Sequence, residues 1–83
     1  VPHMGWNTLT NVKSDLFKGF TKEEFVYFVH SFYVPLNEFT AAQTTYILPY
    51  SSALHKDNFY ATQFHPEKSG TVGERILRNF LEL

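Results

Sequence analysis

Apolar side chains fall at both odd and even positions through residues 25–34 (FVYFVHSFYV), an aromatic and β-branched run that predicts a strand buried on both faces. Pro35 removes a ladder donor and Asn37 favours a turn, so that strand is expected to end near Val34. Residues 44–48 (TTYIL) read as a second strand stopped by Pro49. Residues 52–55 and 59–65 read as two more, joined by the polar turn Lys56-Asp57-Asn58, which is a hairpin signal. The first 24 residues mix aromatics with Gly5, Asn7, Asn11, Asp15 and Gly19 and sustain neither period, which predicts short extended pieces and loops. At the other end the period changes. Val72, Ile76, Leu77, Phe80 and Leu81 recur every three to four positions as one helical stripe, and Thr71 and Glu74 have the spacing of a capping box.

Several strands and one closing helix, with no internal repeat, low-complexity tract or linker, make an α/β pattern of a single domain or part of one. One helix covers only one face of a sheet, whereas the run at 25–34 calls for cover on both. Either the chain associates with itself or a covering layer is missing.

Composition narrows the classes. Hydrophobic residues make up 43% of the 83 and aromatics 18%, a core-forming balance. A chain this short buries only about 60 to 65% of the surface its unfolded form exposes, and such domains are often stapled. With no cysteine, neither a disulfide framework nor a thiolate metal site can supply the staple, which suits a reducing cytosol. Lys+Arg 7 against Asp+Glu 8 leaves a net charge of -1 with no basic cluster, and the aromatics are not interleaved with Lys or Arg. A nucleic-acid surface or an anionic-membrane surface is therefore not expected. No apolar run approaches the roughly 18 residues of a membrane span, so a soluble protein is expected. The chain opens at Val1 without a charged-then-apolar leader, so a signal peptide is absent or already removed, and the start without Met suggests a processed or partial chain.

The chemistry centres on His65-Pro66-Glu67. His65 is placed as the last side chain of its strand before Pro66 breaks the ladder, and Glu67 can fold back to accept a proton from the imidazole. That fixes the tautomer and leaves the other ring nitrogen to act as a base. The bland alternative is a strand-capping histidine beside a solvated acid. Ser69 lies nearby as either a nucleophile or, more in keeping with Ser-Gly, a helix-entry residue. His3, His30, His55 and His65 form no H-x-x-x-H pair and gather no carboxylates, so no metal site is expected. His30 reads either as a hydrogen-bonded core histidine or as a residue bordering the cleft of His65.

Gln63-Phe64-His65-Pro66-Glu67-Lys68-Ser69-Gly70 resembles the C-terminal signature of the class I (triad) glutamine amidotransferases. Pro2-His3-Met4-Gly5-Trp6-Asn7, followed by Tyr27-Phe28-Val29-His30-Ser31, resembles the branch of that family serving imidazole-ring closure in histidine biosynthesis, and the likeness runs over the whole chain. The resemblance implies the C-terminal part, residues 1–83, of one flavodoxin-like α/β domain, contributing mostly antiparallel strands and the last helix. It implies hydrolysis of L-glutamine in the cytoplasm, with ammonia passed to a (β/α)₈ cyclase subunit in a heterodimer. His65 becomes the general base and acid serving a cysteine, and Glu67 the carboxylate that orients it. Ser31 and Phe32 match a segment that contacts glutamine largely through backbone, Phe32 standing where many relatives carry Tyr. Met4, Trp6 and Tyr27 match positions toward the cyclase. No metal, nucleotide or flavin is implied. The family's cysteine elbow and oxyanion-hole segment have no counterpart here, so the chain alone is not expected to turn over glutamine. The rivals are a non-catalytic module that docks on the cyclase and a structural fragment that self-associates.

Overall fold

The computed structural model describes residues 3–30 and 33–83. Its described elements are β1 (His3–Leu9), a 3₁₀ turn (Asp15–Phe17), β2 (Glu24–His30), β3 (Thr40–Tyr46), β4 (Leu48–Lys56), β5 (Phe59–Thr62), a second 3₁₀ turn (Pro66–Lys68) and α1 (Gly70–Leu81).

β1 and β2 pair antiparallel from His3 opposite His30 to Leu9 opposite Glu24. Alternation turns Leu9, Val26, Phe28 and His3 inward, where all four are buried. The other face carries Met4, Trp6, Phe25, Tyr27 and Val29. Met4, Trp6 and Phe25 there are 70%, 54% and 57% exposed. Two expectations change. The opening residues contain a full strand, hidden because its inward positions before Leu9 are His3, Gly5 and Asn7, which lack the apolar alternation that marks a strand. Within that run the described strand, Glu24–His30, is buried on one face only, and the expected end near Val34 falls beyond residues 31 and 32, which lie outside the described residues. Its second apolar face is uncovered in this chain.

β3, β4 and β5 form an antiparallel sheet in that order. Pro49 does not stop a strand. It lies within β4 opposite Thr45, beyond the stretch from Ala53 to Lys56 that β5 reaches, so β4 has a partner there on one side only and loses no second ladder bond. The reversal falls on Ile47 at φ 72°, a β-branched residue in the left-handed region. The second hairpin turns at Asp57-Asn58 as expected, with Asp57 at φ 54°. β5 ends at Thr62, so His65 follows a strand rather than closing one.

The two sheets are joined at two edges. Thr10 donates to the Gln43 carbonyl at 2.7 Å and Gln43 donates back at 2.9 Å, while Phe28 bridges Phe64 and the His65 N–H donates to the Tyr27 carbonyl at 2.9 Å. Between the seams Leu9, Val26, Phe28, Ala42, Tyr50 and Phe64 make the core.

α1 docks Ile76 and Val72 against this core beside Leu16 and Phe17. Asn79 donates to the carbonyls of Leu16 and Lys18 at 3.0 and 2.9 Å, which fastens the helix to the first 3₁₀ turn. Leu77, Phe80 and Leu81 are exposed, so the stripe is only partly covered. No capping box forms. The helix starts at Gly70 with Ser69 as N-cap, Thr71 already lies inside the first turn, and the Ser69 hydroxyl is engaged elsewhere. The whole is an α/β fold of two antiparallel sheets and one closing helix.

Candidate active site

Pro66 fixes the backbone after the last bridge, and the chain makes one 3₁₀ turn that brings His65 and Glu67 to the same side. His65 Nδ1 lies 3.0 Å from Glu67 Oε2. The Glu67 carboxyl is held below its ordinary value by a bond from its own backbone N–H and then by the His65 ring. An ionised Glu67 accepts, so Nδ1 carries the ring proton and Nε2 is left as the acceptor. The arrangement is that of a base whose tautomer is set by a carboxylate. Both side chains are accessible.

The turn is held from behind by Ser69, which is 1% exposed. Its hydroxyl donates to the His65 carbonyl and accepts from the Tyr27 N–H at 2.9 Å. That use, and its burial, leave no face for substrate, so Ser69 is the helix-entry residue and not a nucleophile. Gly73 completes the support: a Cβ there would collide with the Pro66 carbonyl and the Ser69 side chain. Ser-Gly pointed to helix entry at Ser69, but neither its bond to β2 nor the packing at Gly73 was visible as a motif, although a lone glycine inside a helical stripe is a signal of close packing. Ser69→Ala leaves the Tyr27 N–H without its partner and is expected to destabilise the chain by about 1–3 kcal/mol. Chemical unfolding checks this. A midpoint equal to wild type would mean that water replaces the hydroxyl at no cost.

The structure brings Met4, Trp6 and Tyr27 together on the outer face of β1 and β2, with the Trp6 and Tyr27 rings edge-on at 5.7 Å. Because the His65 N–H is bonded to the Tyr27 carbonyl, the turn that carries the His-Glu pair is tied to the strand that carries this face. Ser31 and Phe32 lie outside the described residues. His30 is a hydrogen-bonded core histidine, its Nε2 lying 3.1 Å from the Tyr50 hydroxyl. His55 pairs with the Asp57 carbonyl at 2.7 Å and stacks on Tyr60. Among the described residues no three His, Asp or Glu side chains gather as a metal site, and no helix is long and apolar enough to cross a membrane.

An α/β fold with a His-Glu pair on the turn before its closing helix suits one class, and the match of a family model to residues 1–83 shows it: the chain belongs to the class-I glutamine amidotransferase family. Within that family it is 78% identical over 83 residues to the imidazole glycerol phosphate synthase subunit HisH of Bacteroides fragilis, covering all of this chain and 42% of that protein. HisH of Bacteroides thetaiotaomicron is 76% identical over the same length, and HisH of Escherichia coli O157:H7 is 48% identical over 84 residues and 43% of its length. The chain thus spans about two-fifths of the relatives it matches.

Proposed function

We propose that residues 1–83 are the C-terminal part of one glutaminase domain, that of an imidazole glycerol phosphate synthase, and that they carry its general base. The observation that bears most weight is the 3.0 Å His65–Glu67 pair, which leaves Nε2 as acceptor on a turn held by Ser69. The 78% identity to a HisH subunit supports the assignment to this branch.

In this reading the nucleophile is a cysteine from the part of the domain outside these residues, since this chain has none. His65 Nε2 takes the thiol proton and the thiolate attacks the amide carbon of L-glutamine. The tetrahedral species collapses as His65 returns the proton to the departing ammonia. Water, deprotonated by the same nitrogen, then cleaves the thioester to glutamate and frees the cysteine. Glu67 holds the ring and stabilises its charged form between the two transfers. Ser31 and Phe32 border the glutamine. Met4, Trp6 and Tyr27 face a (β/α)₈ cyclase that receives the ammonia, a role supported by the apolar exposure of that face. The setting is the cytoplasm.

The test is ammonia release from L-glutamine by this chain alone, and by the chain mixed with the cysteine-bearing remainder of a HisH subunit and its cyclase. Silence alone and turnover in the mixture are the expected results. A folded chain that docks on the cyclase yet gives no turnover in any combination overturns the catalytic reading and leaves a binding module.

A further inference from the structure

Tyr50 places its hydroxyl between two imidazoles. His3 Nδ1 on β1 lies 3.0 Å from it and His30 Nε2 on β2 lies 3.1 Å from it. Tyr50 and His3 are 0% and 3% exposed. The His3 ring is stacked between Phe28 and Tyr46, with centroids at 4.5 and 4.2 Å, so it cannot turn to water without leaving the stack. The titratable groups facing Tyr50 are His3 from β1, His30 from β2 and Tyr33, with Tyr46 of β3 behind His3. A phenol has one proton: it donates to one imidazole and accepts from the N–H of the other. Two neutral rings satisfy that requirement, as do one neutral ring and one imidazolium. Two imidazoliums do not, because the phenol proton then has no acceptor and two charges sit on rings 5.3 Å apart. Burial, then the neighbouring His30, holds His3 below the ordinary imidazole value, which marks His3 as the neutral acceptor. Burial, and then Tyr33, pushes the Tyr50 phenol up, so it keeps its proton.

We propose that His3, Tyr50 and His30 form a proton-operated clamp that fastens the β1–β2 pair to β4, closed while either imidazole is neutral and released only when both are protonated, His3 being the buried ring that resists the second proton. In the neutral range neither the folded nor the unfolded chain holds a proton on His3. As pH falls through about 6.5 the unfolded chain takes one up first, so stability is full above that value and is lost below it, down through the folded value. The strand released is the one carrying Met4 and Trp6.

The test follows the histidine ring resonances against pH in the wild-type chain and in Tyr50→Phe, alongside chemical unfolding at pH 7.5 and 5.0 of wild type and His3→Asn. The asparagine amide oxygen can accept from the phenol near the Nδ1 position but cannot take a charge. The expected results are that His3 titrates below the ordinary imidazole value of about 6.5 and that Tyr50→Phe raises its proton affinity about tenfold. On acidification the wild-type folding equilibrium should fall about tenfold further than that of His3→Asn. Equal losses in the two chains, or a His3 titration that Tyr50→Phe does not move, overturn the clamp. Should either variant fail to fold at pH 7.5, the wild-type chain still decides: His3 titrating at or above the ordinary imidazole value of about 6.5 overturns the clamp, and His3 titrating below it supports the clamp.

Discussion

Gly73→Ala should cost the chain about 3 kcal/mol, the upper end of the usual range for overpacking. Helix propensity alone predicts the opposite sign, since alanine inside a helix is favoured over glycine by about 1 kcal/mol. Packing decides, because the added methyl has nowhere to go. It meets the carbonyl carbon and oxygen of Pro66, which are backbone, and then the Ser69 Cβ. Relief requires the helix to tilt or the Pro66–Lys68 turn to lift. The second course also breaks the bond from the Ser69 hydroxyl to the His65 carbonyl and spoils the 3.0 Å approach of Glu67 to the ring. Stability and the geometry of the pair should therefore fall together. Urea unfolding reads the first, as a lower midpoint with unchanged slope. A midpoint at or above wild type would mean that the helix stands further from the turn than described.

What the sequence disclosed was what is local. The hairpin at 52–65 was legible because Asp57 and Asn58 are turn formers between two apolar runs, and the His65–Glu67 contact because its partners are two residues apart. β1 was not legible, because an inward face of His3, Gly5 and Asn7 carries no apolar period. The run at 25–34 was legible as a strand with two apolar faces, but not which of its two covers this chain provides. Apolar character tells a strand face that it wants cover, not whether this chain supplies it, and Phe25 and Val29 remain uncovered here. The residues that hold the site answer to distant partners. Ser69 serves Tyr27, 42 positions away, and His3 meets Tyr50 across 47. The missing capping box has a local cause: the helix begins at Gly70, so Thr71 is already inside its first turn, and the Ser69 hydroxyl at the N-cap is used on β2.

On the proposed mechanism, His65→Ala in the assembled enzyme should lower glutamine hydrolysis by about 10² to 10⁴-fold, because both proton transfers would lose their carrier. Glu67→Gln should cost far less, about tenfold or under. The carboxylate only orients and stabilises the ring, and the pair is accessible, so water competes for Nδ1 and the charge is screened. The two variants should also differ in their dependence on pH. In wild type the Glu67 carboxyl is depressed below its ordinary value by its own N–H and by His65, so its orienting contact is complete above the ordinary carboxylate range and fails as pH falls through the depressed value. Glu67→Gln removes that acid limb and His65→Ala removes the activity on which it is read. The check is the rate of ammonia release from pH 8 down to the acid limit of the folded assembly, below the ordinary carboxylate range, for the three proteins under saturating glutamine. Loss of activity in Glu67→Gln as deep as in His65→Ala would show that the pair is desolvated in the assembled enzyme, where a carboxylate is worth far more than at an open surface. A His65→Ala chain as active as wild type would remove the base from this turn altogether.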